Sequence, residues 1–234
     1  MKTRASSIYA KLTEKRHEAV FSGISFADFM ESVTPPIENI LLLKGDYLGE
    51  KNLHKFEILE GREQIAKLML EDIYSYGDFC FIDYSDVASI NNLKEEQIAE
   101  LLYLSHMFKP LKSPFFDVLQ NKFAYLSHDD GWYCRLYCND WKSPVKLLHD
   151  TLIKSVKKIL CSDSFSLPDG LIESVCNFSS EGVFIEIDAL AKRSKIAVVR
   201  LYETGECNDI DALFNTTELH EPCMSVEIRK NNIA

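Results

Sequence analysis

The chain has 234 residues, 46% of them hydrophobic and 26% charged, with a formal net charge of −10. That length suits one large domain, or a domain with a smaller subdomain, and it can bury a core without staples. The acidic balance argues against general affinity for a phosphate backbone. No apolar run approaches the ~20 residues that cross a bilayer.

The basic N-terminal stretch from Met1 to Arg16 has no apolar segment after it, so it does not read as a secretory signal. From Ser6 to about Val20 the spacing of Ile8, Leu12 and Val20 predicts an amphipathic helix. A second, short helix is expected over Ile24 to Met30, with Ser25 as its cap and Pro35-Pro36 stopping it. Ile40 to Leu43 and Phe56 to Leu59 are short apolar runs bounded by Gly45 and Gly61, and both predict strands.

A helix follows over Arg62 to Tyr74, placing Ile65, Leu68, Met69 and Ile73 on one face. Phe79 to Tyr84 reads as a buried strand. Asn92 with Glu95 forms a capping pair for a helix running to Phe108 and closed by Pro110. Its expected core face is Ile98, Leu101, Leu102 and Phe108.

The firmest local signal is a β-hairpin over about 122–138. Asp130-Gly131 supplies the positive φ angles of a two-residue turn, and the arms run over Phe123 to Asp129 and Trp132 to Cys138. This register sets Asp129 opposite Trp132, His128 opposite Tyr133 and Leu126 opposite Arg135. Phe123, Tyr125, Leu136, Trp132 and the two cysteines then share the expected core face. Ala124, Leu126, His128, Tyr133, Arg135 and Tyr137 share the other.

Ser143-Pro144 opens an amphipathic helix whose buried stripe is Val145, Leu148, Leu152, Val156 and Ile159. Residues 161–170, rich in Ser, Asp, Pro and Gly, mark a hinge. It divides a main domain, 1–160, from a C-terminal subdomain or extension, 171–234. Val183 to Ile187, Ile196 to Tyr202 and Met224 to Ile228 predict three more strands. Strands interspersed with helices imply an α/β or α+β fold, with a mixed sheet, the antiparallel hairpin and flanking amphipathic helices.

Seven cysteines, odd in number and irregular in spacing, read as reduced thiols packing like small apolar residues, as in a cytoplasmic protein. On one strand Cys134 and Cys138 lie ~13 Å apart, too far for a disulfide or a shared zinc.

Few residues suggest chemistry. His128, Asp129 and Asp130, with Arg135 across the hairpin, form the densest polar cluster, suited to acid–base work or to a divalent cation. The turn itself requires Asp130-Gly131, which discounts Asp130 and leaves His128, Asp129 and Arg135 as catalytic candidates. His106 is a further candidate near them. The pair His149-Asp150 sits at the edge of a helix stripe, where a half-buried structural histidine belongs.

Residues 203–222 hold six acids and no Lys or Arg, and Glu203, Glu206, Asp209 and Asp211 are candidate binding residues for a basic protein. Their spacing does not match a calcium loop. The sequence has no phosphate-cradling loop, nucleophile elbow or paired Cys-x-x-Cys, so no cofactor and no metal is assigned.

The expected function is an intracellular interaction or regulatory protein of the immunity, inhibitor or antitoxin kind, using an acidic surface. The alternative is a metal-assisted hydrolase working near His128, Asp129 and Asp130. Neither membrane nor direct nucleic-acid contact is expected.

Overall fold

The computed structural model describes residues 6–48, 51–71, 79–104, 116–128, 133–191, 195–205 and 221–231. The fold is α+β, and the strand pairs set out below are all antiparallel. The chain forms two compact units interleaved in sequence. A terminal unit comprises Met1–Thr13, Val20–Ile24 and Pro144–Ala234, and a central unit comprises Glu14–Ala19 and Ser25–Ser143. No helix among the described residues is long and apolar enough to cross a membrane.

The first segment departs from the helix expected there. Ser6–Thr13 is strand β1 and Glu18–Ser22 is strand β2, joined by a 3-10 turn at Glu14–Arg16 and by His17 at φ 51°. Ile8, Tyr9, Ala10 and Leu12 are all buried. Neighbouring residues of a strand point to opposite sides, so this strand is covered on both faces and loses its two-residue alternation. Ile8 and Leu12, four apart, then mimic a helical stripe.

In the central unit α1 (Phe26–Ser32) begins as its sequence predicts. Ser25 Oγ accepts the Asp28 N–H at 3.1 Å, while the Asp28 carboxylate accepts the Ser25 N–H at 3.3 Å. This is a capping box with aspartate in place of the usual glutamate.

β3 (Asn39–Leu48) and β4 (Lys51–Glu60) extend the two short predicted strands into one long hairpin. α2 (Gly61–Leu70) buries Ile65 and Leu68, leaves Met69 half-buried, and is capped at Glu71. Ile73 and Tyr74, assigned to the same helix from the sequence, lie outside the described residues.

After β5 (Phe79–Asp83) comes α3 (Val87–Asn91), which the sequence reading omits. Asn92 is therefore the C-cap of α3, not the N-cap of the next helix. For α4 (Glu95–Leu104) the capping contact shifts: Gln97 Oε1 accepts the Lys94 N–H at 2.9 Å. Ile98, expected in the core, is 38% exposed, and Phe108 lies outside the described residues.

A short α5 (Phe116–Leu119) leads into β6 (Phe123–His128) and β7 (Tyr133–Cys138). Their register is the expected one in all six rungs, from Phe123 opposite Cys138 to His128 opposite Tyr133. The turn, residues 129–132, lies outside the described residues.

The central strands run in the order β7-β6-β5-β3-β4. On one face Phe26 and Phe29 of α1 meet Phe81, Phe123 and Tyr125, with Phe26–Phe81 centroids 4.6 Å apart and Phe81 stacked on Tyr125. The other face buries Leu41, Leu43, Cys80, Ile82, Ala124, Leu126 and Tyr137 beneath Tyr84, Leu119, Ile90 and Leu93. Both faces of the hairpin are thus core, where the sequence reading put only one.

The terminal unit has the strand order β10-β9-β8-β1, with β8 (Val183–Ala189), β9 (Ile196–Glu203) and β10 (Met224–Arg229) close to prediction. α6 (Lys142–Leu160) reaches this unit from Pro144 onward. It buries Leu148, Leu152 and Val156 as expected, but its stripe is turned toward Leu147, Thr151 and Leu160, leaving Val145 and Ile159 half-buried. α7 (Leu171–Ser179), absent from the sequence reading, packs on β1, β8 and β9.

Candidate functional site

The two groups of residues singled out from the sequence meet different surroundings. Arg135 projects from β7, its side chain 21% exposed, with Nε 3.0 Å from Oε1 of buried Glu18. The approach is an ion pair whose angle falls outside hydrogen-bond geometry, because Nε has no aligned acceptor among the described residues. Arg135 also donates to the Tyr133 hydroxyl at 3.5 Å.

Burial works against the guanidinium charge, but Tyr133, Tyr137 and Glu18 outweigh it and hold the pKa above its ordinary value. Arg135 is a permanent cation tied to a buried carboxylate. His128 ends β6 opposite Tyr133, and its backbone alone is described. Asp129, Asp130 and His106 lie outside the described residues.

In the terminal unit Glu203 is exposed at the end of β9. Glu206, Asp209 and Asp211 lie outside the described residues. His149 Nδ1 is 3.1 Å from Asp150 Oδ1, and Lys146 Nζ donates to Asp150 Oδ2 at 2.6 Å. These are contacts along the outer surface of α6. Among the described residues no three His, Cys, Asp or Glu side chains converge as metal ligands.

A different constellation emerges at the other end of the hairpin, wholly within the central unit. A cleft of ≈ 330 Å³ is lined by Phe29, Val33 and Thr34 from α1 and its exit. Lys122, Phe123, Cys138, Asn139, Asp140 and Ser143 complete it from the hairpin ends and the start of α6.

Its wall is held from behind by Asp83, which is 5% exposed. Asp83 Oδ1 accepts the Lys122 and Phe123 N–H groups, each at 2.9 Å, and Oδ2 accepts the Lys122 N–H at 3.1 Å. Burial raises the Asp83 pKa to about 6, against the opposing pull of these N–H donors and of the Lys122 ammonium. Buried Asn121 donates to the Phe123 carbonyl at 2.9 Å. The Asn139 N–H donates to the Lys122 carbonyl at 2.7 Å, continuing the hairpin one rung past its last paired residues.

Cys138, in the lining of the cleft and 2% exposed, carries a neutral thiol. Burial drives its pKa up, and the carboxylates of Asp140 and Asp83 push it further. A thiol so placed is a packing group rather than a nucleophile. The cleft therefore offers an apolar wall, one ammonium, one carboxylate, two hydroxyls and an amide, which is equipment for binding.

None of these residues was a candidate from the sequence. One signal was available, since extending the hairpin register by a rung sets Lys122 opposite Asn139. Thr34, Phe29 and Asp83 reach the same place only through tertiary packing. No known protein family, no curated protein and no solved structure matches the chain.

Proposed function

We propose that this chain is an intracellular interaction or regulatory protein that engages a basic partner, with the central unit as its acidic surface. The observation that carries this reading is the distribution of charge. The central unit has 13 basic and 22 acidic residues, a net of −9, whereas the terminal unit has 13 basic and 14 acidic, a net of −1. The acids of residues 203–222 are offset within their own unit by lysines and arginines elsewhere. A net field of one sign raises the rate of encounter with an oppositely charged partner. An immunity, inhibitor or antitoxin role has this chemistry.

The hydrolase alternative gains no support from Arg135, whose charge is already engaged by Glu18.

The test is capture from the native host at physiological salt, followed by reconstitution with the purified partner. A stoichiometric basic protein is expected, bound less tightly as salt rises. Neutralising the exposed Glu57, Glu60, Glu95 and Glu96 together to Gln should weaken it by about tenfold or more. The same change at exposed Glu173, Glu181, Glu203 and Glu221 should leave it nearly unaltered. Recovery of free protein alone at physiological salt, or equal sensitivity of both sets, overturns the reading.

A further inference from the structure

We propose that the Phe29–Phe123 cleft binds a small zwitterion with an apolar body, the chemical class of a free amino acid bearing an aromatic or large aliphatic side chain. The inference is independent of the acidic-surface reading, because it rests on the cleft's own lining.

Its size, ≈ 330 Å³, falls at the small end of the range for small-molecule sites, about 300–1,000 Å³. Half-buried Val33 and the methylene stem of exposed Lys122 supply apolar contact for such a body, over a floor closed by Phe29 and Phe123, each 2% exposed.

The polar lining carries both signs of charge and no excess of either. Lys122 and Asp140 are exposed and flank the start of β6 and the end of β7, where the Asn139 N–H donates to the Lys122 carbonyl. Among the described residues the Lys122 ammonium has no ion-pair partner, and the Asp140 carboxylate takes only the Lys142 backbone N–H, at 3.1 Å. Each is open to a counter-charge, and a ligand that satisfies both must itself carry an anion and a cation. Thr34, Asn139 and Ser143 add neutral hydrogen-bonding groups around them.

The cleft is also preformed. Asp83 clamps the Lys122 and Phe123 amides from inside, and Asn121 holds the Phe123 carbonyl. Little ordering of the wall is then needed on binding, which favours affinity for a small molecule.

Three probes differing only in charge test this on the full chain by calorimetry or ligand-observed NMR. They are L-phenylalanine, phenethylamine (cation only) and 3-phenylpropanoate (anion only). Phenylalanine should saturate a single site with a Kd of about 1 mM or below, and each singly charged probe should bind about threefold to tenfold more weakly. Lys122→Gln should weaken phenylalanine and 3-phenylpropanoate but spare phenethylamine. Asp140→Asn should weaken phenylalanine and phenethylamine but spare 3-phenylpropanoate. Both side chains are exposed, so the variants should keep the wild-type thermal midpoint. Absence of saturable phenylalanine binding overturns the proposal. Equal binding of all three probes, or binding indifferent to both substitutions, does so as well.

Discussion

The central and terminal units are both built on antiparallel strands, yet they treat charge differently. The central unit takes ionisable groups inside: Glu18 is 7% exposed and Asp83 is 5% exposed. The terminal unit keeps its comparable cluster, Glu186 with Arg200 at 3.1 Å and the Tyr202 hydroxyl at 3.4 Å, half-buried on a sheet face. The reason lies in the layers. The central sheet is covered on both faces by aromatic and aliphatic side chains, so a carboxylate on an inner strand, such as Asp83 at the end of β5, is desolvated whichever way it points. Such a group must be matched by a cation, as Glu18 is by Arg135, or by backbone donors, as Asp83 is. The terminal cluster still reaches water and needs less.

This contrast can be broken in four ways, the largest first. Phe81→Ala removes the ring at the centre of the central aromatic layer, where it meets Phe26, Phe29, Phe123 and Tyr125. A loss of about 3–5 kcal/mol in denaturant unfolding is expected. A loss below about 1 kcal/mol would mean that the two-sided core carries less than its burial implies.

Next are the two ion pairs. Arg135→Met removes the nearer cation from buried Glu18, leaving Arg16 at 4.0 Å, and should cost about 2–4 kcal/mol, whereas Glu186→Gln should cost under about 1 kcal/mol, because both partners there keep contact with water. Equal losses would erase the distinction between the units.

The third concerns pH. In the unfolded chain Asp83 titrates near 3.8, and in the fold near 6, so the folded state binds the proton more tightly. The stability this confers is fully present below the unfolded value and is lost as pH rises through about 6. Relative to Asp83→Asn, which keeps an acceptor for the two amides, the wild-type protein should gain about 2 kcal/mol between pH 7 and pH 4. Parallel profiles for the two proteins would show that Asp83 is not the group responsible.

The smallest effects are at helix surfaces. Ser25→Ala should cost about 1 kcal/mol through loss of the α1 cap. Lys146→Ala, which breaks the surface pair with Asp150, should cost a few tenths of a kcal/mol by the same unfolding measurement.

How far the sequence carried can be judged residue by residue. Ser25 was legible as a cap because its partner is three residues away, and the hairpin register was legible because a two-residue turn leaves one alignment. The segment Ser6 to Ser22 was misread because a strand covered on both faces keeps no alternation. Asn92 was misassigned because a capping residue looks alike at either end of a helix, and α3 before it had gone unseen. Arg135 is a candidate because it lies across the hairpin from His128 and Asp129, and its pairing with Glu18, far away in the chain, has no local signal.

By itself, then, the sequence determined what rests on short-range physics: the α1 cap, the α6 start near Pro144, the hairpin pairing and most of the strands. Tertiary structure alone decided what depends on residues far apart in the chain. It joined Glu18 to Arg135, set Asp83 behind the amides of Lys122 and Phe123, and drew Phe29, Thr34, Lys122 and Asp140 around one cleft. Desolvation gives these groups their character, and desolvation is a property of the packed interior rather than of any local stretch of chain.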